Sequence, residues 1–401
     1  MQRIHILENT IQPYAWGSYT AIPELLGRPS DSNTPQAELW MGAHPKAPSM
    51  VPVDGRLKSL KLLIDKYPRE ILGRKVSTAF QGELPYLFKV LAAARPLSLQ
   101  AHPSASQARN GYIRENGLGI PLDSPKRNYR DPNHKPECIC ALTPFWALHG
   151  FRRTPDIIAL AGRLQLESME PLLHILRGQP DGRGLKTFFR TMMTLPPLQK
   201  SRLTNQAFDR AQKKSKENDA YRWIVRLMES YPEDIGVLAP LFLNLVLLQP
   251  GQALYLPAAE LHAYLEGVGI ELMANSDNVL RGGLTPKHID VAELLAVLDF
   301  EERTPRILAQ RPGAAGERIY ECPAREFTLS VIIVGQETSY ASPQERSVEI
   351  LLCTTGTARI SDLGTGEVTV LNKGNAALVP AAVSAYDLKG NATVYKAAVP
   401  M

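Results

Sequence analysis

Gly251-Gln-Ala-Leu-Tyr-Leu-Pro257-Ala-Ala259-Glu-Leu-His262 is the stretch on which the fold turns, because its spacing returns as Gly374-Asn-Ala-Ala-Leu-Val-Pro380-Ala-Ala382-Val-Ser-Ala385. Each copy runs glycine, five residues, proline, one residue, a small residue, two more, and then His262 or Ala385. Glycine suits a tight turn that needs unusual backbone angles. The apolar run after it reads as a short strand, and the proline marks a second turn. Two related β units follow, one ending on a metal-capable imidazole and the other on a methyl group.

The flanking sequence has the same texture. The chain has 401 residues, enough for two or three domains at roughly 100–200 residues each. Its 32 prolines exceed the usual share of about 5% and are spread among short β-rich runs in 1–150 and 232–400. Between these runs the period changes. Thr154-Pro155-Asp156 reads as a helix cap, a proline at the first helical position and an early acid. Tyr221, Ile224, Val225 and Met228 fall at i, i+3, i+4 and i+7, one face of a helix. Residues 152–246 are therefore expected to form a helical insertion. Its Lys200, Arg202, Arg210, Lys213, Lys214, Lys216, Arg222 and Arg226 lack interleaved aromatics and read as a solvated face.

With 45 Lys+Arg against 40 Asp+Glu the net charge is only +5, which argues against nucleic-acid or membrane partners and for a small molecule. The first residues show no secretory pattern. The longest apolar run, Ile235–Leu248, is interrupted by Pro240 and Asn244 and is too short to cross a bilayer. A cytoplasmic protein is expected. Cys138, Cys140, Cys322 and Cys353 form no CxxC and read as packing residues in a reducing compartment. Cys138 and Cys140 are expected on opposite faces of one strand.

The glycine and proline spacing resembles the second motif of the cupin jelly roll, in which the proline turn sets up a metal-binding histidine. That resemblance implies a mainly β protein with an α insertion: two cupin-like jelly-roll domains plus a helical domain. Only the first cupin would keep a metal, at His262.

Phosphate-loop, nucleophile-elbow, HExxH and dinucleotide motifs are absent, so His and carboxylate clusters carry the chemistry. In LSLQAHP (97–103), strand alternation puts Ser98, Gln100 and His102 on one wall. In YRDPNHKPE (129–137), Pro136 forces Lys135 into an extended conformation, so Lys135 and Glu137 share a face opposite His134. Gln100, His102, Glu137 and His262 together make an N/O ligand set without thiolate, suited to zinc, manganese, iron or cobalt. A divalent ion with one carboxylate and three neutral ligands leaves a net positive site, favouring an anionic substrate or intermediate.

YRDPNHKPE (129–137) and HAYLEGVGIELMANSDNVLRGGLTPK (262–287) resemble the two signature segments of the type I mannose-6-phosphate isomerase family. LSLQAHP (97–103), LFKVL (87–91) and AELWMGAHP (37–45) fit the same family, over nearly the whole chain. The resemblance implies interconversion of D-mannose 6-phosphate and D-fructose 6-phosphate through an enediolate, with one Zn2+ per chain on Gln100, His102, Glu137 and His262. It also implies Arg281 as an active-site cation and Ser98, Lys89 and Lys287 as phosphate partners. Glu271 and Lys135 become proton-transfer groups, Glu271 first because apolar neighbours raise a carboxyl pKa. His134 and Asp277 would orient the ligands. Thr285 and Pro286 would start a helix aimed at the phosphate. Gly282 departs from the alanine usual after that arginine.

The expected division is 1–151 with 247–315 as the metal-binding cupin, 152–246 as the helical insertion and 316–401 as a degenerate cupin, in a monomer. An Fe(II) cupin oxygenase and a non-catalytic sugar-phosphate-binding cupin are the alternatives.

Overall fold

The computed structural model describes residues 2–30 and 33–401. Two large antiparallel sheets dominate it, one of ten strands and one of nine. In the first, the 13-residue strand His262–Ala274 pairs along its opening half with Leu99–Ala101 and Phe145–Phe151. Its closing half pairs with Tyr86–Ala93 and Glu137–Ala141. The switch falls at a register shift between Tyr264 and Glu266, next to Gly267 at φ 131°. A side chain on Gly267 would lie 2.7 Å from Phe145, so only glycine lets the strand change partners there.

The second sheet repeats the device. Its long strands Glu349–Asp362 and Tyr386–Ala398 pair along their length, and Gly390 sits at φ 141° with Thr357 O 2.4 Å from where its Cβ would be. Gly267 stands as far beyond Gly251 as Gly390 stands beyond Gly374, so the internal repeat extends past its visible match.

Strand alternation sorts the side chains into separate cores. Phe88, Val90, Cys138, Cys140, Ile270 and Leu272 of the first sheet pack against Leu329, Val331, Ile350, Leu352, Leu378 and Ala397 of the second. Each sheet has its own inner cluster: Leu91, Ile139, Leu254, Leu256 and Tyr264 in one, Ile332, Leu351, Ala377, Val379 and Val394 in the other. Cys138 and Cys140 face the shared core together, contrary to expectation, because positions two apart on a strand point the same way. All four cysteines are free thiols.

The helical insertion leaves and re-enters at one place. Leu243 is the register partner of Phe151, so the strands on either side of the insertion close as neighbours. Helices Thr154–Gly162, Glu170–Gly178, Gly182–Met193, Pro197–Lys214 and Asp219–Ser230 bury an apolar side that includes Phe188, Phe189, Trp223 and Ile224. On the last of these, Tyr221 and Ile224 are buried and Val225 and Met228 pack against the same core, as the spacing predicts. Thr154 is already helical and does not cap. Its backbone N–H donates instead to Glu302 Oε1 at 2.6 Å, a carboxylate far away in sequence.

The sheets depart from the expected domain division in two places. His5–Leu7 pairs with Ala376–Leu378, and Gln310–Pro312 pairs with Arg318–Tyr320, so both strands belong to the second sheet. The first pairing joins segments far apart in the chain and leaves no local mark, whereas the second is a short hairpin through Gly313 and Gly316. No helix among the described residues is long and apolar enough to cross a membrane.

Candidate metal centre

His102, Glu137 and His262 converge from three segments, each offering a ligand atom within 4.8 Å of the other two. Glu137 opens the strand Glu137–Ala141, and His262 opens His262–Ala274. His102 Nε2 lies 3.3 Å from Glu137 Oε1, and His262 Nε2 lies 3.4 Å from Glu137 Oε2. All three are buried. Gln100 is the register partner of His262 and of Arg281, which places it beside the trio.

The ring nitrogens turned away from the trio are held by backbone carbonyls. His102 Nδ1 is 2.7 Å from Asn278 O, and His262 Nδ1 is 3.0 Å from Glu260 O. A carbonyl accepts from N–H, so both histidines carry hydrogen on Nδ1, and Nε2 is the nitrogen left to serve as a ligand. His102 Nε2 nevertheless has no hydrogen-bond partner among the described residues. Burial, followed by the Lys135 charge, lowers its pKa to about 4, which keeps the imidazole neutral. Burial alone would raise Glu137, but Lys135 and the two histidines outweigh it and hold the carboxylate well below its ordinary range. Neutral imidazoles, an ionised carboxylate and an unpartnered buried lone pair are what a divalent cation requires. The residues fit a metal.

A cavity of about 60 Å3 opens beside Glu137 and His262, lined also by Gln100, Lys135, Lys89, Glu271, Glu38 and Tyr264, with His102 buried behind it. Lys135 Nζ lies 3.0 Å from Glu137 Oε1, on the face its extended backbone predicts. Glu271 and Lys89 are register partners on neighbouring strands, with Lys89 Nζ 3.0 Å from Glu271 and 3.5 Å from Glu38. Lys89 is thus committed to two carboxylates and keeps its proton more tightly than a free lysine. Burial raises the Glu271 pKa, opposed by Lys89 and reinforced by Glu137. The Tyr264 hydroxyl is buried without a hydrogen-bond partner among the described residues. Larger cavities, about 270 Å3 in the second β unit and about 490 Å3 between Phe80, His134 and Arg325, lack such converging ligands.

Arg281, Lys287 and Ser98 do not line the cavity. Arg281 lies on Leu280–Gly283, and Lys287 follows on an exposed bend. Burial and mutual repulsion with Arg130 lower the pKa of both, and among the described residues none of the three cations has a carboxylate partner. Thr285 and Pro286 start no helix. Thr285 Oγ1 accepts from Lys287 N at 3.2 Å, and the next helix begins at Val291, capped by Asp290. Gly282 lies within a strand at an ordinary φ, and a Cβ there would sit 3.1 Å from Leu261.

His134 and Asp277 point elsewhere. His134 Nε2 meets Glu326 at 2.8 Å, and Asp277 meets Lys46 at 2.8 Å and His44 at 3.5 Å. The orienting work falls to Asn278 and Glu260, which sequence reading missed because their backbone carbonyls do it. Asn278 also accepts from Arg130 N at 2.6 Å, linking His102 to the loop that carries Lys135. Arg130 and Asn278 lay inside the quoted segments, and their place in those segments was the only sequence signal for them.

Two back-to-back jelly rolls with a His–Glu–His cluster in one of them define a cupin-type metalloprotein. Two family models match: phosphomannose isomerase type I, catalytic domain, over residues 4–154, and its helical insertion domain over residues 167–243. The chain is 41% identical to mannose-6-phosphate isomerase of Escherichia coli (strain K12) over 391 residues, covering 96% of this chain and 97% of that protein. It is 33% identical to the Homo sapiens mannose-6-phosphate isomerase over 411 residues, 94% of each. A crystal structure of a variant of Salmonella typhimurium phosphomannose isomerase superposes with TM-score 0.93 at 37% identity, covering 99% of this chain and 100% of that one. A zinc-bound mannose 6-phosphate isomerase structure gives TM-score 0.92 at 37% identity, with the same coverage. The chain belongs to the type I phosphomannose isomerase family.

Proposed function

We propose that this protein interconverts D-mannose 6-phosphate and D-fructose 6-phosphate with one zinc ion held by Gln100, His102, Glu137 and His262. The observation that carries the reading is the buried trio, its two histidines held at Nδ1 by backbone carbonyls with both Nε2 atoms turned toward Glu137, that of His102 without a hydrogen-bond partner among the described residues. Zinc would supply Lewis-acid stabilisation of negative charge developing on the sugar oxygens.

The chain's own residues account for the remaining steps. Glu271 takes the proton from the carbon beside the carbonyl and returns it to the neighbouring carbon. Burial brings its pKa toward the working range, and Lys89 fixes its orientation. Lys89 thus serves Glu271 rather than the phosphate, because two carboxylates already claim its charge. Lys135 holds Glu137 in its ionised form and is the rival proton carrier. The cavity admits only the reacting end of the sugar. The phosphate then stays outside it, with Arg281, Lys287 and Ser98, where unpaired positive charge remains.

The test is metal analysis of purified protein with a coupled isomerase assay before and after chelation. Zinc at one per chain and activity that returns with zinc support the proposal. Metal-replete protein without turnover overturns it. In that case, oxygen uptake by the iron-loaded form would favour an oxygenase, and calorimetric binding of mannose 6-phosphate alone would favour a sugar-phosphate-binding protein.

A further inference from the structure

The turn between Pro257 and His262 touches both histidine ligands from behind. Ala259 N donates to His102 O at 2.7 Å, and Glu260 O holds His262 Nδ1 at 3.0 Å. Ala259 adopts φ 67°, a left-handed conformation that a side chain disfavours. The corresponding residue of the second unit, Ala382, is not among the residues with positive φ. The strained backbone therefore occurs in the copy of the turn that ends on a ligand.

A chain of polar groups braces this turn, buried at Glu260 and His149 and part-exposed at Arg303 and Asp299. The Glu260 carboxylate lies 2.7 Å from His149 Nε2 and 3.2 Å from Arg303 Nε. Arg303 reaches on to Asp299 at 2.5 Å, and Asp299 N donates back to Ala259 O at 2.9 Å, closing a loop of contacts. His149 is the register partner of His262, so the brace also rests on the neighbouring strand. Gly150 N donates to Leu261 O at 2.9 Å and fixes the far side. None of these side chains lines the cavity.

We infer that Glu260, Arg303 and His149 are positioning residues that hold the strained turn, and through it His102 and His262, in register for the metal. This rests on the metal reading above. Removing the brace lets Ala259 relax to an ordinary φ, and that movement shifts both imidazoles together.

The test compares Glu260→Gln and Arg303→Ala with the parent by zinc affinity in chelator competition, the visible absorption of the cobalt-substituted protein, and metal-free thermal unfolding. Zinc affinity should fall roughly 10- to 100-fold, as is usual for groups behind a ligand, with an altered cobalt spectrum. Arg303→Lys should recover most of the loss. Folded variants with the parent's zinc affinity and cobalt spectrum overturn the inference, even if they melt earlier. If Arg303→Ala does not fold, Glu260→Gln decides. A parent that binds zinc without turning over mannose 6-phosphate would sink the isomerase reading and leave this one standing. A parent that binds no zinc would sink both.

Discussion

Glu137 pairs in register with Leu256, and Glu349 pairs with Val379, which occupies the same place in the second repeat. The two β units thus present a buried carboxylate from the same position of the same frame. Around Glu137 stand two buried imidazoles whose Nδ1 atoms are held by backbone carbonyls and whose Nε2 atoms face the carboxylate. Around Glu349 stand Arg346 at 3.3 Å and Lys396 at 3.5 Å, and Lys396 also meets Glu317 at 2.7 Å. Arg346 further donates to Pro380 O at 2.8 Å and to Val383 O, gripping the proline turn that in the first unit holds the ligands. Lys135 also reaches Glu137, at 3.0 Å, so in both units the chain supplies the carboxylate at this position with a cation; the difference is that only the first unit turns two imidazole Nε2 atoms toward it, where a metal can be recruited as well. Two acids and two bases balance the second cluster internally.

The largest effect that would sharpen this contrast is on the first carboxylate. Glu137→Ala should abolish zinc binding and lower turnover by roughly a thousandfold or more, since several kcal/mol of charge stabilisation disappear. Metal content and kcat are the readouts, and retained zinc would break the comparison. Glu271→Gln should cost on the order of 10²–10⁴ in kcat with zinc content unchanged; full turnover would transfer the proton to Lys135. The counterpart substitution, Glu349→Ala, should leave zinc and kcat intact while destabilising the fold by about 3 kcal/mol in denaturant unfolding, because Arg346 loses its buried partner. Loss of metal there would show that the two clusters are not independent.

Acid should expose the difference without mutation. His102 is held at about 4 when folded, below its ordinary 6.5, so the unfolded chain binds a proton that the folded chain refuses. In metal-free protein its contribution is complete above pH 6.5 and falls away as pH drops toward 4, by an order-of-magnitude 3 kcal/mol. Unfolding free energy measured across that window checks it, and a flat profile would contradict the buried neutral imidazole. The smallest expected effect is Lys287→Ala, about tenfold in KM for mannose 6-phosphate with kcat nearly unchanged. Unaltered kinetics would remove Lys287 from the phosphate site.

Much of this was legible in sequence because ligands on short strands follow simple rules. Alternation put Gln100 beside His102, Pro136 put Lys135 beside Glu137, and the glycine and proline spacing singled out His262. What stayed hidden was whatever depends on partners far apart in the chain. Lys89 read as a phosphate cation because nothing local reveals that Glu271 is its cross-strand partner. His134 and Asp277 read as orienting groups because backbone carbonyls leave no mark on residue type. The repeat set Ala385 at the place His262 takes, but it could not show that Glu349 stands where Glu137 does, with Arg346 and Lys396 beside it. The helix expected at Thr285 failed for a local reason, since its hydroxyl closes a single turn instead.

The pairing of His5–Leu7 with Ala376–Leu378 has a consequence for how the molecule comes into being. The two strands lie far apart in sequence, so pairing them closes a very long loop at a cost in chain entropy. Once made, the closure ties the metal-bearing half to its neighbour like a clasp. A bulky fusion placed just ahead of His5 should therefore loosen the tie between the two β units and lower the unfolding free energy while leaving the metal ligands untouched.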